Sequence, residues 1–165
     1  MTPPALSKDD ALRALRELVA DDLARASDAH RETTRGATHE EAKPENDKDT
    51  RALEATYLAR GLAERVAALE NAVASLAALK LRAFTAETPV ALGAIVTLAP
   101  EQGPPATYFI VPAAGGLKLT VGSHALTTVT LDAPLGRALL GAYEGDEVSV
   151  QTPQGARTLE IERVL

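Results

Sequence analysis

The chain has 165 residues, 45% of them apolar and only 3% aromatic, and a formal net charge of −6. This length suits one ordinary domain or two small ones, and alanine-rich helices fit the composition better than an aromatic-rich binding cleft does. The negative charge argues against a protein that coats duplex DNA, because that mode needs clustered lysine and arginine. With no cysteine, disulfides and thiolate chemistry are excluded.

Neither a signal peptide nor a membrane-spanning segment is predicted. The opening residues lack the apolar core of a signal peptide, and no run of about 18 apolar residues occurs. We therefore expect a soluble, cytoplasmic protein without a membrane partner. Separately, we expect a monomer.

The first helix is predicted from about Ala11 to Arg35. Ser7 and Asp10 have the spacing of a capping box at its start. Its apolar residues recur at helical spacing, with charged residues between them. They are Leu12, Leu15, Val19, Leu23 and Ala26.

A second helix has a clearer coiled-coil seam, with steps of four and three. The seam residues are Ala55, Ala59, Leu62, Val66, Leu69, Val73 and Leu76. Two helices of about 35 residues each would form an antiparallel hairpin on the order of 50 Å long. We assign residues 1–84 to this coiled-coil hairpin.

An acidic turn at about 36–50 joins the two helices, and its segment Glu40–Asp49 (EEAKPENDKD) holds five carboxylates. Gly36 is predicted to end the first helix. Thr38 and Glu41 have the spacing of a capping box that would begin a new helical turn, whereas Pro44 suits the first position of the second helix. Both starts remain open at this point.

Beyond a linker at 85–92, the pattern changes to short strands separated by glycine and proline. Strands are predicted at 94–99, 107–111, 117–121, 127–131, 146–151 and 157–164. A short helix is predicted from Pro134 to Leu140, ended by Gly141. Residues 93–165 are thus expected to form a small antiparallel sheet with one short helix, which makes the chain an α+β protein.

The stretch 129–161 resembles the C-terminal domain of the bacterial GreA/GreB transcript-cleavage factors. In that family a D/N-S-P-x-x-R-x-L-x-G helix precedes a G-D-x-V-x-V-x-T-P-x-G hairpin. The matching positions are Asp132, Pro134, Arg137, Leu139 or Leu140, Gly141, Gly145, Asp146, Val148, Thr152, Pro153 and Gly155. The family joins this FKBP-like domain to an N-terminal antiparallel coiled coil, which is the order predicted here.

The resemblance implies binding to RNA polymerase. Such factors place the C-terminal domain on the rim of the secondary channel and insert the coil, so that the tip stimulates cleavage of backtracked RNA by the polymerase itself. The chain is then not an enzyme. The residues implied in polymerase binding are Asp132, Ala133, Pro134 and Leu135.

The tip residues follow from the family pattern G-D-x-x-E-N-A-E/D-Y. Glu45-Asn46-Asp47 matches its E-N core, so that Ala42 falls where the family has aspartate; a second registration, from Gly36, places the glutamate on Glu40. The implied catalytic acids are Glu45, Glu41, Asp47 and Glu40. No cofactor is expected on the chain alone, but Glu41, Glu45, Asp47 and Asp49 are implied ligands of a Mg²⁺ ion shared with the polymerase. The implied contacts to the RNA 3′ end are Arg35, Lys48 and Arg51.

Three functions follow as alternatives. The first is a transcript-cleavage and elongation factor. The second is a related channel binder that inhibits polymerase without cleavage, which Ala42 favours. The third is an FKBP-like prolyl isomerase or chaperone module, for which only Tyr108, Phe109 and Tyr143 are available as pocket aromatics.

Overall fold

A computed structural model of the chain describes residues 5–40 and 50–165, and the side chains of 5–36 and 50–165. Two long helices precede a β domain that contains one short helix, so the predicted α+β class is confirmed. The fold divides into two compact units. One consists of Met1–Arg16 with Ser75–Leu165, and the other of Glu17–Ala74.

Helix α1 runs from Lys8 to Glu40. It begins as predicted, because Ser7 Oγ accepts a hydrogen bond from the Asp10 N–H at 3.2 Å and so caps the first turn. The predicted end at Gly36 is wrong, as is the new helical start at Thr38, since α1 continues through both residues. A Cβ on Gly36 would meet nothing within 4 Å, and an exposed helical glycine costs only about 1 kcal/mol, which is too little to end a long helix.

Helix α2 runs from Thr50 to Ala78, and the start predicted at Pro44 lies outside the described residues. Its predicted seam is confirmed. Leu76 is buried, and the other seam residues are half-buried while most of their neighbours are exposed; they are Ala55, Ala59, Leu62, Val66, Leu69 and Val73. Among the described residues, no helix has an apolar stretch long enough to cross a membrane.

Arg16 joins the start of α1 to the end of α2. Its Nε and Nη2 donate to the carbonyl oxygen of Leu76 at 3.0 and 2.7 Å, and Nη2 also reaches that of Ala77 at 3.3 Å. The last carbonyls of a helix have no partner within the helix, and α2 has no basic residue of its own in its last turn. Arg16 therefore supplies both hydrogen bonds and positive charge to the end of α2.

Phe84 lies between two cations after the end of α2. Lys8 Nζ is 4.6 Å and Arg82 Cζ is 4.7 Å from the centre of its ring, and Lys8 also donates to the Arg82 carbonyl oxygen. Burial lowers the pKa of Lys8 below its ordinary value; the Asp9 carboxylate opposes this shift and the Arg82 guanidinium adds to it. This contact fastens the beginning of α1 to the segment that enters the β domain.

The β domain contains six strands in the order β3-β4-β2-β1-β6-β5. They are β1 Ile95–Pro100, β2 Ala106–Val111, β3 Lys118–Val121, β4 His124–Thr130, β5 Glu147–Thr152 and β6 Gly155–Val164. Antiparallel pairing, as predicted, occurs in four of the five pairs of neighbouring strands. The sheet is nevertheless mixed, because β2 and β4 pair in parallel, with Phe109 opposite Thr128. Residues 112–123, which include β3, return the chain so that β4 runs in the direction of β2 and leaves β3 at the edge.

One core cluster lies between the sheet and helix α3, Pro134–Leu139. Its buried members are Phe84, Val90, Ala94, Val96, Leu98, Ile110, Val129, Leu139, Val148, Ile161 and Val164. Val90 belongs to the segment predicted as a linker, and its N–H donates to the carbonyl oxygen of Ala142 at 2.8 Å. This segment is therefore fixed to the turn that follows α3.

Candidate docking site

The segment Asp132–Leu135 connects β4 to α3. The N–H of Ala133 donates to the carbonyl oxygen of Thr130 at 3.1 Å, which closes a tight turn at the end of the strand. Pro134 is the first helical residue, as predicted, and Ala133 is the N-cap in an extended conformation. Ala133 has no polar side chain with which to cap the helix, and the neighbouring Asp132 is exposed.

Exposure alternates along this segment. Asp132 and Pro134 are exposed, whereas Ala133 and Leu135 are half-buried and pack against the core cluster. Arg137 Nη1 donates to the backbone oxygen of Asp132 at 2.5 Å, so the turn is tied to the helix that follows it. The segment thus presents one carboxylate and one proline ring on a fixed backbone.

An open groove of about 580 Å³ lies beside this segment. Ala133, Pro134 and Leu135 line one side, and the end of β5 with Pro153 lines another. The remaining lining comes from β4 and from Gly115 and Gly116 in the β2–β3 connection. Its surface is mostly apolar, so the groove suits an apolar partner group.

Thr128 holds the glycine-containing side of the groove in place. Its side chain is fully buried; the hydroxyl donates to the carbonyl oxygen of Ala114 at 2.6 Å and accepts from the N–H of Leu117 at 2.9 Å. Ala114 has a positive φ of 61°, which a non-glycine residue adopts only where its surroundings impose it. Thr128 was not predicted from the sequence. The strand predicted at 127–131 contains three threonines, and their alternation does not reveal which hydroxyl is buried.

Most of the predicted tip residues lie outside the described part of the chain. Glu40 is the last residue of α1, without a described side chain, and α2 begins at Thr50. The predictions for Glu41, Glu45, Asp47, Asp49 and Lys48 therefore stay predictions. Arg35 and Arg51, on the two helices that flank this segment, are both exposed.

No metal site is found among the described residues, where no three histidine, aspartate or glutamate side chains come together. Arg60 pairs with Glu64 at 3.2 Å on the exposed surface of α2. Exposed pairs of this kind contribute little to stability. The described charges thus indicate ordinary helix-surface pairing.

Comparison with known proteins identifies the C-terminal part of the chain. Residues 85–165 match the family model "Transcription elongation factor, GreA/GreB, C-term". The transcription elongation factor GreA of Vibrio parahaemolyticus is 50% identical over 36 residues, which are 22% of this chain and 23% of that relative. The first relatives found are therefore matched over only about a quarter of their own length.

Two further similarities extend over most of the chain. GreA of Ralstonia nicotianae is 28% identical over 151 residues, or 90% of this chain and 91% of the relative. The crystal structure of GreA factor homolog 1 (Gfh1) of Thermus thermophilus covers 91% of this chain and 94% of its own, with 22% identity and a TM-score of 0.39. Residues 85–165 therefore form a C-terminal domain of the GreA/GreB type, and most of the chain is similar to GreA transcription elongation factors.

Proposed function

We propose that this protein binds RNA polymerase at the rim of the secondary channel, inserts its acidic tip and stimulates cleavage of backtracked RNA. The observation that carries this proposal is the match of residues 85–165 to the GreA/GreB C-terminal domain, together with the display of Asp132 and Pro134 beside an apolar groove. The polymerase supplies the catalytic centre. The chain itself is not an enzyme under this proposal.

The first step is docking through the segment Asp132–Leu135. The exposed proline and the mostly apolar groove favour an apolar surface on the partner, which loses contact with water on binding. The exposed carboxylate of Asp132 favours a basic side chain nearby, because complementary charges fix the orientation of a complex. The rim of the polymerase channel is the partner surface that the similarity to GreA factors suggests.

In the second step, the tip between α1 and α2 would bring its carboxylates to the active site of the polymerase. α1 ends at Glu40 and α2 begins at Thr50, so the connecting segment holds the four remaining acids of the tip, Glu41, Glu45, Asp47 and Asp49. An all-oxygen donor set fits Mg²⁺, which prefers oxygen ligands and needs only one or two carboxylates beside water. Glu41, Glu45, Asp47 and Asp49 would help to hold this ion, which would supply an activated water for cleavage of the RNA phosphodiester.

Positive side chains on both sides of the tip would bind the RNA 3′ end. Arg35 and Arg51 are exposed on the flanking helices, and Lys48 lies between them in the sequence. Lysine and arginine attract phosphates at moderate salt, and this attraction weakens as salt rises. We expect these three residues to support cleavage by holding the RNA and not by chemistry.

A second candidate function is inhibition of the polymerase through the same channel. One sequence observation favours it, because Ala42 stands where the family pattern has aspartate. A tip with fewer metal ligands would still occupy the channel. The third candidate, a prolyl isomerase or chaperone, gains no support from the groove, since none of its lining residues is aromatic and Phe109 is fully buried.

A cleavage assay on stalled, backtracked polymerase tests the proposal. We expect the wild-type protein to shorten the RNA 3′ end in a Mg²⁺-dependent manner, and Glu45→Ala to lose this activity while it still binds polymerase. Glu70→Gln, a substitution of an exposed acid in the shaft of α2, is the matched control and should cleave like wild type. Slowed elongation without release of RNA fragments by the wild-type protein would favour the inhibitor instead.

A binding measurement tests the docking step separately. We expect Asp132→Ala and Pro134→Ala each to weaken polymerase affinity by about tenfold, as is usual for central contacts of an interface. Both residues are exposed, so the thermal stability of the domain should stay nearly constant. Unchanged affinity in both variants would contradict the assignment of this segment.

A further inference from the structure

Helix α3 approaches the end of β4 unusually closely at Gly136. A Cβ built on this residue would lie 2.0 Å from the carbonyl oxygen and 2.8 Å from the carbonyl carbon of Thr130, and 3.0 Å from Cα of Leu131. All three are backbone atoms, so no side-chain rotation can relieve the overlap. The buried Gly136 is therefore a residue that no other amino acid can replace without a backbone shift.

Backbone conformation does not explain this glycine. Gly136 lies inside α3 and is not among the residues with positive φ, so any residue could adopt its backbone angles. Within a helix, glycine is less favourable than alanine because it loses more conformational freedom on folding. The close approach of α3 to Thr130 and Leu131 is thus the structural reason for glycine at this position.

This close approach sets the position of the segment Asp132–Leu135, the proposed docking segment, relative to β4. The carbonyl oxygen of Thr130, against which Gly136 rests, also accepts the N–H of Ala133 that closes the turn. Leu139 at the other end of α3 is buried in the core. A methyl group at residue 136 would have to move away from Thr130 by about 1 Å, and with Leu139 held in the core the first helical turn, including Pro134, would move most.

We infer that Gly136 is a positioning residue for polymerase binding: its missing side chain lets α3 rest on β4 and so sets the spacing of Asp132 and Pro134. This inference rests on the proposed function, because it assumes that these two residues contact polymerase. Arg137 supports the same geometry through its hydrogen bond to the Asp132 backbone oxygen. Neither Gly136 nor Arg137 needs to contact the partner for this role.

A double-mutant cycle of Gly136→Ala and Pro134→Ala tests this inference, with polymerase affinity measured for each variant. We expect Gly136→Ala to weaken binding by about tenfold in the wild-type background and by less than about twofold in a Pro134→Ala background, since a displaced proline and an absent one lose the same contact. A merely structural role would give equal losses in both backgrounds. Equal losses, or wild-type affinity of Gly136→Ala, would overturn the inference.

Gly61→Ala is the matched control, because Gly61 is also a helical glycine but a Cβ at this residue would meet nothing within 4 Å. We expect unchanged affinity for this variant. If Gly136→Ala fails to fold, Arg137→Met provides the test, since it removes the hydrogen bond to Asp132 together with the charge of an exposed side chain. A loss of about threefold or more that shrinks in the Pro134→Ala background supports the inference, and no loss, or an equal loss in both backgrounds, overturns it. If Asp132→Ala and Pro134→Ala weaken binding but Gly136→Ala does not, the positioning role fails while the proposed function stands.

Discussion

The helical pair and the β domain are specified by different kinds of contact. Along α2 the seam residues from Ala55 to Val73 are only half-buried, and the described ion pair Arg60–Glu64 is local and exposed. In the β domain, core residues such as Leu98 and Ile161 are at most 1% exposed and come from distant parts of the chain. The part of α2 from Ala55 to Val73 is therefore packed less closely than the β domain, although Leu15 in α1 and Leu76 in α2 are fully buried.

The largest expected difference in stability is between two leucine-to-alanine variants, one in each region. Leu98→Ala should destabilise the β domain by about 2–5 kcal/mol, because a fully buried leucine leaves a cavity. Leu62→Ala, at a half-buried seam position, should cost only about 1 kcal/mol. Native-state hydrogen exchange, read separately in the strands and in α2, measures both effects. Equal losses would show that the two regions are not stabilised differently.

A smaller effect is expected for the buried hydroxyl of Thr128. Thr128→Val keeps the shape of the side chain but removes the partner of the Ala114 oxygen and the Leu117 N–H, which should cost about 1–3 kcal/mol. Thr127→Val on the same strand is the control, since residue 127 is only half-buried. Urea denaturation compares the two variants. A stable Thr128→Val protein would mean that the β2–β3 connection is held by its backbone alone.

The smallest effect concerns the Arg16 contact at the base of the helices. Arg16→Lys keeps the charge but cannot form the two-pronged hydrogen bond to Leu76, so we expect a loss of about 1 kcal/mol. Arg13→Lys is the control, because the described ion pair of Arg13 is with Asp10, whose side chain is 46% exposed, and this change should alter stability by less than about 0.5 kcal/mol. Thermal unfolding of α2, followed by circular dichroism, distinguishes these outcomes. If the two lysine variants unfold alike, capping by Arg16 is not significant.

The helical seam, the strands and the start of the short helix could be predicted because each depends on a local sequence pattern. The coiled-coil seam follows from steps of three and four residues, and all six strands occur near their predicted positions. The short helix begins at Pro134 as predicted, since a proline needs no hydrogen-bond partner at the first position of a helix. The proposed docking segment Asp132–Leu135 came instead from the resemblance of a contiguous motif to a known family, and its role stays a prediction.

The remaining features depend on contacts between residues that are far apart in the chain. The parallel pairing of β2 with β4, the burial of the Thr128 hydroxyl and the approach of Gly136 to Thr130 each depend on where a second element lies in space. Helix α1 continues past Gly36 because a single exposed glycine costs less than stopping a long helix gains. Sequence alone determined which elements form and which residues line the helical seam. Only the tertiary structure decided strand direction and the position of α3, because both follow from packing between elements and not from the period within one.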